Sequence, residues 1–201
     1  LCPDRGAFGA DLLPELVAGR FFASPDQRYH IRLCGRTPDP VTTMGGIRLV
    51  PDMKIGEIDP ARGNVLILPG SNIWMDPNQD EVLEIVKEFL KTPMITGAIC
   101  GATMGLARAG LLNNRPHTSN DLDVLKQFCP GYTGDAYYIN KPVVTDGNLV
   151  TASGFAAVEF AFEVMKILQI MREKTLNAWY LLNVEKKPGY YYQLMESLGE
   201  Q

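Results

Sequence analysis

The sequence is short of histidine, of clustered cysteine and of long apolar runs, and each shortage closes off a class of function. Only two histidines occur among 201 residues, His30 and His117. The four cysteines, Cys2, Cys34, Cys100 and Cys129, include no C-x-x-C pair. A zinc site normally draws four ligands from short paired spacings, so no metal site is expected, and nothing in the pattern calls for a cofactor. No apolar stretch approaches the roughly 18 residues of a membrane-crossing helix, which excludes that kind of membrane partner. Basic runs are also lacking: 19 Lys+Arg stand against 23 Asp+Glu, a net charge of -4, so nucleic acid is not expected as a partner. The opening Leu1-Cys2-Pro3 shows neither a charged n-region nor an apolar h-region, and no signal peptide is read there. A chain of this length needs no disulfide to hold a core, so the cysteines are read as thiols in a reducing, cytoplasmic compartment.

What is present describes one folded domain spanning residues 1–201, 46% hydrophobic and 21% charged, without repeat, linker or low-complexity tract. Short apolar runs alternate with Gly/Pro loops and amphipathic stretches. Residues 64–69 form a continuous apolar run ending at Pro69-Gly70, which suits a strand covered on both faces. Asp76-Pro77 then gives an N-cap and a proline at the first helical position, with Gln79 at capping-box spacing. Val82, Leu83, Val86, Phe89 and Leu90 follow on one helical stripe. Residues 94–99 read as the next strand and 101–109 as the next helix, closed by Gly110. This alternation predicts an α/β domain with a mainly parallel sheet.

Helix is also expected over 12–22 and strand over 29–34, with a bulge or hairpin where Gly45-Gly46 interrupts 41–50. Asp146-Gly147 marks a tight turn between two short strands. Residues 155–168, apolar nearly all round, predict a buried helix, and 172–198 predict helix broken at Lys187-Pro188-Gly189. Leu1-Cys2-Pro3 reads as the end of a strand whose beginning is missing, so further residues are expected before Leu1 in the natural protein.

The sharpest chemical motif is Gly97-Ala98-Ile99-Cys100-Gly101-Ala102-Thr103, a cysteine at the end of an apolar strand, directly before a helix, between small residues. That is the pattern of a nucleophile elbow, in which a turn too tight for large flanking side chains holds the reactive residue in a strained conformation. At a helix N-terminus the dipole favours thiolate. The Gly101 amide stands where it can donate to a developing oxyanion, and the Gly70-Ser71 peptide, leaving the end of the previous strand, could give a second donor. The plainer alternative is a buried strand cysteine, a common place for free Cys. Trp74 is expected either to line the pocket mouth or simply to pack. Ser153-Gly154 approaches the pocket, with Ser153 equally a cap of the next helix.

The run Leu66-Ile67-Leu68-Pro69-Gly70, the elbow Ala98-Ile99-Cys100-Gly101, the stretch Gly110-Leu111-Leu112 and Asp146-Gly147-Asn148-Leu149-Val150-Thr151 resemble the ThiJ/PfpI superfamily. This class I glutamine amidotransferase-like group includes bacterial "intracellular protease/amidase" proteins. The resemblance implies a flavodoxin-like three-layer sandwich, usually a homodimer. It also implies an acidic partner for the cysteine, for which Asp11 is the closest match and Glu15 the second; Asp11 could instead cap its helix, and Glu15 could be solvated. Several catalytic members carry histidine at a position that Asn120 occupies here, within His117-Thr118-Ser119-Asn120. If that stretch is extended, His117 faces away from the side Asn120 uses, unless the strand slips by one residue. A neutral Asn cannot shuttle protons, which puts a Cys-His hydrolase mechanism in doubt.

Three functions fit. In the first, Cys100 attacks an electrophilic carbon of a small-molecule or amide substrate, giving an amidase-like hydrolase or a reaction with an α-oxoaldehyde. In the second, a non-enzymatic redox or stress-response protein uses oxidation of the same cysteine. In the third, a small-molecule binding module keeps the turn as architecture.

Overall fold

A computed structural model of the chain describes residues 32–43, 45–59 and 65–199. The helix expected over 12–22, the first half of the strand expected over 29–34, and the candidates Asp11 and Glu15 lie outside the described residues. Two small pairings open the described part. Cys34–Gly35 (β1) runs parallel to Met53–Lys54 (β4), and between them Val41–Thr42 (β2) turns back on Arg48–Leu49 (β3). Gly46, at φ 85°, supplies the left-handed residue that this hairpin needs, as the Gly45-Gly46 interruption predicts.

The central sheet has four described strands: Val65–Leu68 (β5), Ile95–Ile99 (β6), Val143–Asp146 (β7) and Leu149–Ala152 (β8), in the order β5-β6-β8-β7. β5, β6 and β8 are parallel, while β7 turns antiparallel onto β8 through Gly147, at φ 56°. Among the described residues, six α-helices accompany the sheet: Asp80–Phe89 (α1), Gly101–Arg108 (α2), Leu122–Phe128 (α3), Ala157–Ile167 (α4), Glu173–Glu185 (α5) and Pro188–Gly199 (α6).

Alternation along the strands divides the core between two faces. Leu66, Leu68, Ala98 and Leu149 pack with Val82, Leu83, Val86 and Phe89 of α1 and with Ala102 and Leu106 of α2. Ile99, Val150 and Ala152 point the other way, onto Phe160 and Val164 of α4. Helices therefore cover both faces of the α/β domain that the alternation predicts, in the three-layer arrangement that the family resemblance implies. Gly97 makes the second contact possible: a Cβ there would stand 2.7 Å from the Phe160 ring and 2.9 Å from Ile67.

Local signals explain most boundaries. Asp76 accepts from the Asn78 amide at 2.8 Å and Pro77 follows, but they open a short 3-10 turn over Pro77–Gln79, so α1 proper starts at Asp80. α3, absent from the sequence reading, is capped by Asp121, which accepts from the Val124 amide. Two expectations need correction. Of α4, only Phe160, Ala161, Val164 and Met165 are fully buried, and Phe155 precedes the helix with 92% of its surface exposed. The C-terminal helices part at Lys186, which caps α5 at φ 55°, while Pro188 and Gly189 belong to the first turn of α6. Pro is tolerated there because a first-turn N–H has no helical partner to lose. α5 and α6 bury Trp179 and Leu194 in a separate cluster against Ala161 and Met165 of α4.

Candidate active site

β6 delivers the chain to Cys100 and α2 carries it away from Gly101, so a single residue makes the whole turn. Its φ of 56° and ψ of -127° lie where L side chains rarely sit. Hydrogen bonds pin it on both sides: the Cys100 amide donates to the Ala152 carbonyl at 3.0 Å, and its carbonyl accepts from the Thr103 amide at 3.0 Å and the Thr103 hydroxyl at 2.6 Å. That hydroxyl also shares a 2.6 Å hydrogen bond with Ser119 Oγ, tying the turn to the segment bearing Asn120.

Glycines make room for the sulfur. A Cβ on Gly70 would stand 2.9 Å from Cys100 Cβ, and one on Gly154 would stand 2.8 Å from Cys100 Sγ. A Cβ on Gly101 would collide with the Ser71 peptide, so these two backbones are in intimate contact. Cys100, Gly70, Ser71 and Gly101 thus share one small region at the C-terminal ends of β5 and β6. Ser71 is buried, its Oγ accepting from the Ile73 amide at 3.1 Å. Trp74 does not line a pocket mouth: it is 6% exposed, packs on Gly105, and donates from Nε1 to the Pro69 carbonyl at 2.8 Å. It braces the loop that carries Gly70. Ser153 is not the cap of α4, which is Ala156; its Oγ accepts instead from the Phe155 amide at 3.3 Å.

Asn120 is brought to the sulfur. Its Oδ1 accepts from the Gly154 amide at 2.7 Å, which leaves Nδ2 facing Cys100 Sγ at 3.4 Å. A peptide N–H can only donate, so this bond fixes which end of the amide meets the sulfur.

His117 goes elsewhere, which corrects its candidacy as a partner of Cys100. The ring is fully buried, with Nδ1 2.8 Å from the Arg115 carbonyl and Nε2 2.7 Å from the Tyr132 hydroxyl. A carbonyl only accepts, so Nδ1 carries the proton and Nε2 accepts from Tyr132. Burial pushes the His117 pKa below the usual 6.5 and keeps the ring neutral, while burial first, and then Asp135, raise Tyr132 to about 12. Both ring nitrogens are engaged away from Cys100. The flanking chain is stitched to the β7–β8 hairpin. Arg115 pairs with Asp146 at 2.8 Å, the Thr118 amide donates to Thr151 Oγ1 at 2.9 Å, and Thr118 Oγ1 donates to the Lys141 carbonyl at 2.8 Å. With 117–120 so anchored, alternation sends His117 inward and Asn120 toward the sulfur. Among the described residues, no group of three or more His, Cys, Asp or Glu side chains could hold a metal ion, and no helix is long and apolar enough to cross a membrane.

A parallel-sheet α/β protein with a cysteine on the strand-to-helix turn at the sheet's C-terminal edge is the class that this architecture defines. The DJ-1/PfpI family model matches residues 17–167, and the chain belongs to that family. It is 42% identical over 188 residues to "Uncharacterized protease YoaZ" of Bacillus subtilis, covering 94% of this chain and 90% of the relative. A crystal structure of a thiJ/pfpI family protein from Bacillus anthracis superposes with a TM-score of 0.86 at 41% identity, covering 94% of this chain and 89% of that one. More distantly, "Glutathione-independent glyoxalase DJR-1.2" of Caenorhabditis elegans is 27% identical over 145 residues, covering 67% of this chain and 71% of the relative.

Proposed function

We propose that the protein is a cysteine-dependent enzyme acting on a small carbonyl or amide compound, with Cys100 as its nucleophile. The observation that carries this reading is the strained, half-buried Cys100, whose sulfur has a fixed amide donor on one side and glycine backbones around it. Strain of this kind persists only where surrounding bonds impose it, and it concentrates at functional sites. The sulfur adds to the carbonyl carbon, a C–S bond forms, and the carbonyl π electrons move onto oxygen. The amides of Gly101 and Ser71 are the proposed donors to that oxygen.

The partner residue sets the chemistry. With an α-oxoaldehyde the thiol proton moves to the new alkoxide, and the aldehyde hydrogen is then carried as a proton to the neighbouring carbonyl carbon, giving a thioester of the hydroxy acid. Water cleaves that thioester, the acid is released, and the sulfur leaves as thiolate without needing a proton donor. Amide cleavage instead requires a proton for the departing amine, which histidine supplies and Asn120 cannot. Addition to an aldehyde or α-oxoaldehyde is therefore favoured over peptide hydrolysis, in line with the name of the glyoxalase relative more than with that of the protease relative. Asp11, with Glu15 as the second choice, is the proposed acidic group that moves the thiol proton.

Turnover of methylglyoxal, glutamine and a peptide amide by the wild type and Cys100→Ala tests the reading. Methylglyoxal turnover abolished in Cys100→Ala, with little amide cleavage until Asn120→His is introduced, is the expected result. Equal turnover in Cys100→Ala would refute it. So would inertness toward all three while peroxide places two oxygen atoms on Cys100, which would select the redox role.

A further inference from the structure

We infer that Phe155 forms an apolar rim beside Cys100, selecting carbonyl substrates that carry an aromatic or branched apolar group next to the reacting carbon. This deepens the proposed role of Cys100 and rests on it.

Phe155 exposes 92% of its surface, the largest exposure among the exposed large apolar side chains of the described residues. Scattered surface apolar residues are ordinary, so exposure alone says little. Position and rigidity say more. A Cβ on Gly154, the residue before it, would stand 2.8 Å from Cys100 Sγ, and Gly154 is itself exposed, so the stretch of chain beside the sulfur reaches the surface and leads directly into Phe155. The residue after it, Ala156, is 3% exposed and caps α4.

The ring is therefore held out between a glycine at the sulfur and a residue locked in the core. Three hydrogen bonds fix this stretch: the Gly154 amide to Asn120 Oδ1 at 2.7 Å, the Phe155 amide to Ser153 Oγ at 3.3 Å, and the Ala156 amide to the Ser153 carbonyl at 3.0 Å. The side chain that fixes the loop is the same one that donates to the sulfur. A substrate held at Cys100 brings its neighbouring substituent to this edge of the site, and an apolar substituent shields both itself and the ring from water. A charged or strongly hydrated substituent gains nothing from that contact.

The test labels Cys100 with two reagents, iodoacetamide and its N-benzyl derivative, in the wild type, Phe155→Ala and Phe155→Leu. Both reagents form the same C–S bond, expel iodide and release the thiol proton to solvent, so their rate ratio reports contact with the benzyl group. The benzyl preference should fall about three- to tenfold in Phe155→Ala and be partly kept in Phe155→Leu. A ratio unchanged in Phe155→Ala would overturn the inference. So would conversion of a dimer to monomer by Phe155→Ala in sedimentation velocity, since a second copy of this chain would then be what covers the ring. Labelling requires no turnover, so this inference and the catalytic reading fail on separate results.

Discussion

Gly154 governs how closely anything approaches Cys100, and its neighbour Asn120 governs which way the sulfur is addressed. A methyl group on Gly154 would stand 2.8 Å from Sγ, 3.0 Å from Cys100 Cβ and 3.3 Å from Asn120 Oδ1. Gly154→Ala must therefore displace the strained turn or the amide, and it should cost about 1–3 kcal/mol in stability and slow alkylation of Cys100. Gly189→Ala is the comparison: nothing lies within 4 Å of its added methyl, and in the first turn of α6 the change should leave labelling unaffected. Thermal melts and site-resolved labelling of the two variants check both expectations. The sequence alone exposed Cys100 because small residues flank a cysteine between a strand and a helix. The family resemblance, and not the residues by themselves, pointed to Asn120 as the occupant of a position where several catalytic members carry histidine. Neither could show that Asn120 reaches the sulfur with its nitrogen end, because the orienting donor is the amide of Gly154, 34 residues on.

At the scale of elements, the segment 115–120 is a strut between the sheet and the site, and its inner anchor is a neutral histidine. His117 has its folded pKa below the unfolded value of 6.5, so the unfolded chain takes up the proton first as pH falls. The stability held by the neutral ring is fully present above about 6.5 and declines as pH drops from there toward the lower folded value. Chemical denaturation between mildly acidic and neutral pH should show this slope, and His117→Gln should flatten it. Tyr132→Phe removes the donor to Nε2 and leaves a buried acceptor unpaired, with an expected cost of about 1–3 kcal/mol. Alternation correctly separated His117 from Asn120 in the sequence. Tyr132 stayed hidden because it lies in an irregular stretch with no periodic signal linking it to His117.

Across the whole molecule, the four strands of the central sheet and most helices were legible because short apolar runs bounded by turn residues and stripes with period 3.6 leave few alternatives. Phe155 was misread because it adjoins a strongly apolar helix, and composition cannot tell a core position from a rim. The division of the C-terminal helices was displaced by a residue or two, since Pro188 can end one helix or open another. These helices pack around their own cluster, with Leu194 and Trp179 nearly inaccessible. Leu194→Ala should therefore lower stability by about 2–5 kcal/mol while leaving the labelling ratio between Cys100 and the other thiols intact, read by melting and peptide mapping.

The most direct measurement is competitive alkylation near neutral pH, followed by peptide mapping, with methylglyoxal turnover recorded on the same samples. Burial pushes the Cys34 and Cys129 thiols up, which keeps them protonated and slow. Cys100 should label well ahead of both, and turnover should fall in proportion to the fraction of Cys100 labelled. Labelling of Cys34 or Cys129 as fast as Cys100, or turnover that survives complete labelling of Cys100, would contradict the assignment of Cys100 as the nucleophile.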